Sequence, residues 1–193
     1  MAEAWPVPLE GITETVVTTL GPNDRWNVAA LGLHAPDGDG LATARTWGRT
    51  RTWRNFGERG EGYVQFTTDP LDFAEAALTV REEAEPVLSS ADAWARATVE
   101  RIEDGEDGGT QWVEWALEPV ETGIERETVP TLDRATGAVV EATVAASRLG
   151  VSGYDRADLE RRLEYFADVV DRCGGECDRA AMAVVREHSS WDG

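Results

Sequence analysis

The chain has 193 residues, a length that favours one domain or one domain with a small appendage. It carries 37 Asp and Glu against 18 Arg, has no Lys, and has a net charge of −19. A hydrophobic content of 41%, with eight Trp, excludes a disordered chain. The acidity argues against general binding to nucleic acids or anionic membranes, which needs a large basic surface.

The acidic residues are spread along the whole chain, a pattern that predicts a halophilic protein whose surface is hydrated by carboxylates. No segment approaches the run of about 20 apolar residues that crosses a bilayer. The first residues, MAEAWPVPLEG, have neither the basic segment nor the apolar core of a secretory signal. We therefore expect a cytoplasmic protein.

The first part of the chain predicts antiparallel β-structure. A turn, GPND, separates two predicted strands at 11–20 and 25–33, which gives a hairpin. Further strands are predicted at 41–47, 62–68, 93–103 and 110–120, and residues 81–90 are expected to be irregular. Six strands with little helix between them favour a small antiparallel barrel.

Helical patterns interrupt and then follow the strands. Asp69 and Pro70 have the character of an N-cap and a first helical residue, so a helix is predicted from there to Leu78. Three more helices are predicted at 138–149, 155–172 and 176–188. We expect residues 1–122 to form the barrel domain and residues 123–193 an α-helical C-terminal lobe.

Residues 41–57 form a cationic window that contains no acidic residue. Its charged side chains are Arg45, Arg49, Arg51 and Arg54, interleaved with Thr46, Thr50 and Thr52. Guanidinium and hydroxyl groups are the donors that a phosphate requires. The window therefore predicts a binding site for a small anion.

Thr52 is predicted to cap a short helix that includes Asn55, and the N-terminus of such a helix would offer N–H groups to a phosphate. The alternative is an edge strand or hairpin in which Arg49, Arg51 and Trp53 form one solvated face. The window matches no strict phosphate-loop motif. The residues alone favour neither interpretation over the other.

Cys173 and Cys177 are separated by three residues, and the chain has only two His. A zinc site would require four ligands, so we expect reduced structural thiols and no metal.

The order and spacing of several segments resemble those of a mostly archaeal family, domain of unknown function 447, which belongs with flavin-reductase-like proteins. The matching segments are 11–15 (GITET), 27–32 (NVAALG), 50–56 (TRTWRNF), 67–70 (TTDP) and 141–149 (EATVAASRL). The resemblance implies an α+β protein, an antiparallel split β-barrel with an α-helical C-terminal extension. It also implies an FMN cofactor and a homodimer with flavin sites near the subunit interface.

The resemblance implies that Thr50, Thr52 and Asn55 hold the FMN phosphate together with Arg45 or Arg51. The backbone of residues 27–32 would line the ring and the ribityl chain. The implied cofactor-binding set is Asn27, Ala29, Ala30, Arg45, Thr46, Thr50, Arg51, Thr52 and Asn55.

Two departures concern the ring contacts. The segment ALG at 30–32 replaces a Pro-containing strand, and Gln65 stands where the family has Asn.

An FMN-dependent oxidoreductase of unknown substrate is the leading functional hypothesis, because flavin itself supplies the redox chemistry. A non-catalytic FMN carrier or storage protein is the first alternative. The second is a deazaflavin-dependent enzyme, whose longer anionic cofactor would engage more of the Arg side chains in the window. The chain has no G-x-G-x-x-G dinucleotide motif.

Overall fold

The computed structural model describes residues 4–38, 40–129 and 131–191, and they form two compact units. The first unit extends to Thr68 and resumes from Arg81 to Thr128. The second unit contains Asp69–Val80 and the chain from Val129 onward. The helix that follows Asp69, which lies within the predicted barrel range 1–122, therefore belongs to the second unit.

The first unit is a closed antiparallel barrel with one extra strand. Its strands are β1 (Ile12–Leu20), β2 (Trp26–His34), β3 (Ala42–Trp47), β4 (Glu61–Phe66), β5 (Arg81–Glu83), β6 (Ala93–Asp107) and β7 (Thr110–Ile124). Around the barrel the order is β1-β4-β6-β7-β3-β2, and β2 pairs with β1 to close it. The predicted antiparallel barrel is confirmed.

Among the described residues, β5 pairs only with β2, outside the ring of six strands. The sequence did not indicate this strand, because three residues are too short to show a periodic pattern. The interior of the barrel is filled by alternate residues of the strands, among them the fully buried Val17, Leu33, Val64 and Leu117.

One end of the barrel is plugged by α1 (Arg51–Arg59). Thr50, not Thr52, is the N-cap, and its hydroxyl accepts a hydrogen bond from the backbone N–H of Trp53 at 3.2 Å. The predicted cap was wrong because the chain turns at Gly48, with φ +70°, immediately after β3, so the helix starts two residues earlier. The presence of this helix also excludes the edge-strand alternative.

The inner face of α1 carries Thr52, Asn55 and Phe56, spaced i, i+3 and i+4. Phe56 enters the barrel core, and its ring meets that of Trp115 edge-on at a centroid distance of 5.5 Å. Gly60 ends the helix in the left-handed region, with φ 65°.

The second unit is helical: α2 (Pro70–Leu78), α3 (Arg134–Ser147), α4 (Arg156–Cys173) and α5 (Glu176–His188). Its core is rich in alanine, which lets the helices approach closely. α3 begins at Arg134, four residues before the predicted start, because Asp133 caps it by accepting from Ala135 and Thr136. No helix in the described part of the chain is long and apolar enough to cross a membrane.

Candidate functional site

The cationic window lies at the junction of β3 and α1. Arg49, Thr50 and Arg51 are exposed there, and the first turn of α1 contains no acidic residue. A helix N-terminus carries a partial positive charge and N–H groups without partners inside the helix. The arrangement can therefore bind an anion.

Two cations of the window are paired with carboxylates from other strands. Arg51 contacts Glu82 of β5 at 2.7 Å, and Arg45 contacts Glu114 of β7 at 3.5 Å. The sequence window gave no signal of these partners, because they are distant in the chain. Ion pairs at partly exposed positions contribute about 0–1 kcal/mol, so both guanidinium groups remain available to a ligand.

The other cations contact rings or an amide. The guanidinium of Arg49 lies 5.9 Å from the centre of the Trp53 ring, and Arg54 donates to Oδ1 of Asn55 at 3.2 Å. In the part of the chain that the structure describes, neither of these Arg residues forms a salt bridge.

Thr52, Asn55 and Asn27 point into the barrel, where they are 4%, 1% and 7% exposed. Nδ2 of Asn27 donates to Oγ1 of Thr52 at 3.3 Å. Nδ2 of Asn55 donates to the hydroxyl and the carbonyl of Thr19, at 3.0 and 3.3 Å. These side chains fasten α1 to β1 and β2 from the inside, whereas Thr50 and Arg51 face the outside.

Alternation along β3 separates Arg45 from Thr46. Thr46 is buried and accepts a hydrogen bond from Nε1 of Trp115 at 2.9 Å. Arg45 lies on the outer face, with its guanidinium carbon 4.0 Å from the centre of the Trp112 ring. The polar residues of the predicted set thus divide into an outer group, Arg45, Thr50 and Arg51, and an inner group, Asn27, Thr46, Thr52 and Asn55.

Strand β2 has an open edge at residues 29–32. Residues 26–28 pair with β5, and Leu33 and His34 pair with β3. Within the described ranges, residues 29–32 pair only with β1. Alternate backbone N–H and C=O groups along this edge are therefore available to a ligand.

The open edge and the N-terminus of α1 are neighbours, because Asn27 on the same strand is hydrogen-bonded to Thr52 in the first turn. Small residues border the edge: Ala29 packs on the barrel core, and Ala30 and Gly32 lie on the opposite face. A Cβ at Gly32 would lie 3.2 Å from Cγ2 of Ile12, so the Ile12 side chain packs closely against this glycine.

Gln65 has a role that the sequence did not indicate. It is 1% exposed, and its Nε2 donates to Thr18 at 3.2 Å and to the carbonyl of Pro86 at 3.0 Å. Its Oε1 accepts from the backbone N–H of Leu88 at 2.7 Å. Gln65 therefore fastens the segment after β5 to the outside of the barrel.

The fold defines the chain as an antiparallel split β-barrel protein with an α-helical C-terminal extension. Its sequence matches the model of the DUF447 N-terminal domain, described as a protein of unknown function, over residues 13–126. It matches the DUF447 C-terminal domain over residues 133–187. The chain belongs to the DUF447 family, and the predicted family is confirmed.

The crystal structure of an FMN-bound DUF447 protein from Methanosarcina mazei is similar, with a TM-score of 0.77 and 23% identity over 93% of this chain and 95% of that one. The styrene monooxygenase flavin reductase from Pseudomonas putida S12 has a TM-score of 0.43 and 13% identity, over 64% of this chain and 95% of that one.

Flavoredoxin from Methanosarcina acetivorans also has a TM-score of 0.43, with 12% identity over 67% of this chain and 79% of that one. A search of curated proteins gave no significant match.

Proposed function

We propose that this protein binds FMN and acts as an FMN-dependent oxidoreductase, as a cytoplasmic homodimer. The observation that carries the proposal is the position of the open β2 edge directly beside the cationic N-terminus of α1. A flavin mononucleotide has a polar ring edge and a phosphate, which are the two chemical groups that this pair of features accepts. The FMN-bound relative from Methanosarcina mazei supports the proposal.

The phosphate is assigned to the outer group of residues. The Thr50 hydroxyl and the Arg51 guanidinium are exposed at the first turn, and Arg45 is half-buried on the β3 side. These donors fit a phosphate dianion in number and charge. Thr52 and Asn55 contribute by holding the helix against β1 and β2, and Thr52 adds its backbone N–H.

The ring and ribityl chain are assigned to residues 27–32 of β2. Backbone groups of the open edge would meet the polar edge of the ring, and Ala29 and Ala30 let it approach closely. The four residues of the open edge, 29–32, extend for about 13 Å along the strand. When bound, FMN supplies hydride and electron transfer, while the chain binds and orients it.

The first test is the visible absorption spectrum of protein purified in high salt, with mass analysis of what heat releases. We expect a yellow protein that releases FMN. In Arg51→Gln the affinity for FMN should fall about tenfold, the loss of one charge-assisted contact. Arg59→Gln is the matched control, because Arg59 lies at the opposite end of the same helix. A colourless protein that FMN cannot reconstitute would overturn the proposal.

Anaerobic reduction separates the enzyme from a carrier. Addition of a reduced pyridine nucleotide or a reduced deazaflavin should bleach the bound flavin rapidly. Flavin that stays oxidised with both donors would contradict the enzymatic part and favour the carrier or storage function. Light scattering tests the homodimer: a particle of the monomer mass, 21.1 kDa, would contradict it.

A deazaflavin cofactor is the second candidate, and one observation favours it. Arg49 and Arg54 lack a carboxylate partner in the described ranges, so the site has more cationic donors than one phosphate requires. Deazaflavin would then bind more tightly than FMN to the flavin-free protein. If Arg49→Gln lowers the affinities for FMN and for deazaflavin by the same factor relative to wild type, the result would count against this candidate.

A further inference from the structure

A stacked cluster lies on the outer face of β3 and β7. It shares Arg45 with the proposed phosphate site and contains none of the residues assigned to the flavin ring. The Trp112 indole covers Gly105 of β6, since a Cβ built at Gly105 would lie 2.5 Å from Cζ2 of Trp112. The Arg45 guanidinium lies 4.0 Å from the centre of the same ring. Because backbone occupies one face of the indole, the guanidinium covers the other.

The outer plane of this cluster is accessible. The Arg45 side chain is 35% exposed. Trp47, the cross-strand partner of Trp112, is 46% exposed and lies 5.9 Å from the guanidinium. Glu114 holds one edge of the guanidinium at 3.5 Å, which fixes its orientation and neutralises part of its charge. We call Arg45, Trp47 and Trp112 the stacking shelf.

We propose that the stacking shelf binds the purine nucleoside phosphate portion of a nucleotide. A planar cation and an exposed indole both stack on heteroaromatic rings, and purines offer the largest stacking area among the bases. Glu114 can accept a hydrogen bond from an exocyclic amino group of the base. Arg49 follows Trp47 by two residues and is a further cation in an otherwise acidic chain.

The shelf adjoins the proposed phosphate site. Trp47 precedes Thr50 by three residues, at most about 11 Å of chain. A purine nucleotide on the shelf would therefore place its phosphate next to the FMN phosphate, and in this respect the inference rests on the proposed function. The purine could be the adenylate half of FAD or could belong to a separate adenine nucleotide.

Calorimetric titration with AMP tests the shelf, with UMP as the pyrimidine control. AMP should bind the wild-type protein more tightly than UMP, and Trp112→Leu should weaken AMP binding about tenfold, because the Arg45 guanidinium loses the ring that holds its plane in position for the base. Trp94→Leu is the matched control: its indole also covers a cross-strand glycine, Gly123, but no guanidinium is stacked on it in the described structure.

The control variant Trp94→Leu should keep the wild-type FMN content. Equal affinity for AMP and UMP, or equal losses in the two Trp variants, would overturn the inference. Absence of FMN binding together with Trp112-dependent AMP binding would overturn the proposed function but not the shelf.

Two further titrations identify the source of the purine. If FAD supplies it, FAD should bind about tenfold more tightly than FMN, lose this advantage in Trp112→Leu, and block AMP. If a separate nucleotide supplies it, AMP should bind the FMN-loaded protein and FAD should have no advantage. FAD that binds no better than FMN, with AMP excluded from the FMN-loaded protein, would contradict both sources and the inference.

Discussion

The side-chain amide of Asn55 on α1 donates to both the hydroxyl and the backbone carbonyl of Thr19 on β1, at 3.0 and 3.3 Å. Both residues are buried, so the contact is made inside the barrel. One turn earlier on the same helix, Thr52 accepts from Asn27 of β2. The exposed N-terminus of α1 therefore depends on hydrogen bonds that the ligand would not touch.

Asn55→Ala is expected to lower the free energy of unfolding by about 1–3 kcal/mol, because it leaves buried groups of Thr19 without their partner. Urea denaturation measures the change. Asn23→Ala is the control, since Asn23 is exposed and its loss should change the stability by less than about 0.5 kcal/mol. Equal stability losses in the two variants would contradict the role assigned to Asn55.

Thr50 and Thr52 should behave differently when altered. Thr50→Ala removes the N-cap of α1, which should cost about 1 kcal/mol of stability and weaken FMN binding. Thr50→Ser keeps the hydroxyl and should have little effect on either. The double variant Thr52→Ala with Asn55→Ala should also bind less FMN, but only as a consequence of its lower stability. Its loss of FMN should therefore follow its loss of melting temperature. Flavin content that is undiminished in Thr50→Ala would contradict the phosphate assignment.

The sequence predicted the barrel well, because strands that bury one face produce a period-2 pattern that is visible locally. It also located the cationic window, which depends on residues close in the chain. The sequence did not predict the contacts that form between residues far apart in the chain. Glu82 and Glu114 are two acids among 37, and nothing local shows that they pair with Arg51 and Arg45.

The open edge of β2 could not be predicted from the sequence either. It results from the pairing of β5 and β3 with the segments of β2 on either side of residues 29–32. The wrong cap has a more local cause. Thr50 and Thr52 both precede a polar, helix-compatible stretch, and only the turn at Gly48 decides between them.

Two glycines that are close in the chain should respond to alanine in opposite directions. A Cβ at Gly62 would lie 2.9 Å from the Phe56 ring and 3.2 Å from the carbonyl of Thr18. Gly62→Ala should therefore destabilise the barrel by about 1–3 kcal/mol through overpacking. Gly57 lies exposed on α1, and a Cβ there would be in ordinary van der Waals contact with Trp115, at 3.9 Å.

Gly57→Ala should accordingly stabilise the protein by about 0.5–1 kcal/mol, because glycine inside a helix is unfavourable. Thermal unfolding of both variants measures the difference. A stabilising Gly62→Ala would show that α1 does not plug the barrel tightly.

Cys177 is exposed, but partial desolvation raises the pKa of its thiol, and its hydrogen bond to Asp69 raises it further. The thiolate fraction at neutral pH is therefore low, and iodoacetamide should alkylate Cys177 more slowly in the folded protein than in urea. Asp69→Asn keeps a capping residue for α2 but removes the charge, so alkylation should become a few-fold faster. Mass analysis of the labelled peptide measures the rates.

The same shift affects stability at alkaline pH. The folded-state pKa of Cys177 exceeds the unfolded value of 9.0, so its contribution to stability is present below pH 9.0 and is lost as the pH rises through the folded pKa. An alkylation rate of Cys177 that is the same in folded and unfolded protein would contradict the shift.

Salt should stabilise this protein strongly, because a net charge of −19 on 193 residues makes the folded chain repel itself. The Debye length falls from about 10 Å at 0.1 M salt to about 3 Å at 1 M, which screens most of that repulsion. The melting temperature should therefore rise steeply with KCl concentration.

A variant near the tip of the β6–β7 hairpin distinguishes charge screening from general effects of salt, because the exposed residues Glu103, Asp104 and Glu106 lie close together there. Glu106→Gln should raise the melting temperature at low salt and leave it unchanged at high salt. A melting temperature independent of KCl would refute the halophilic interpretation of the acidic surface.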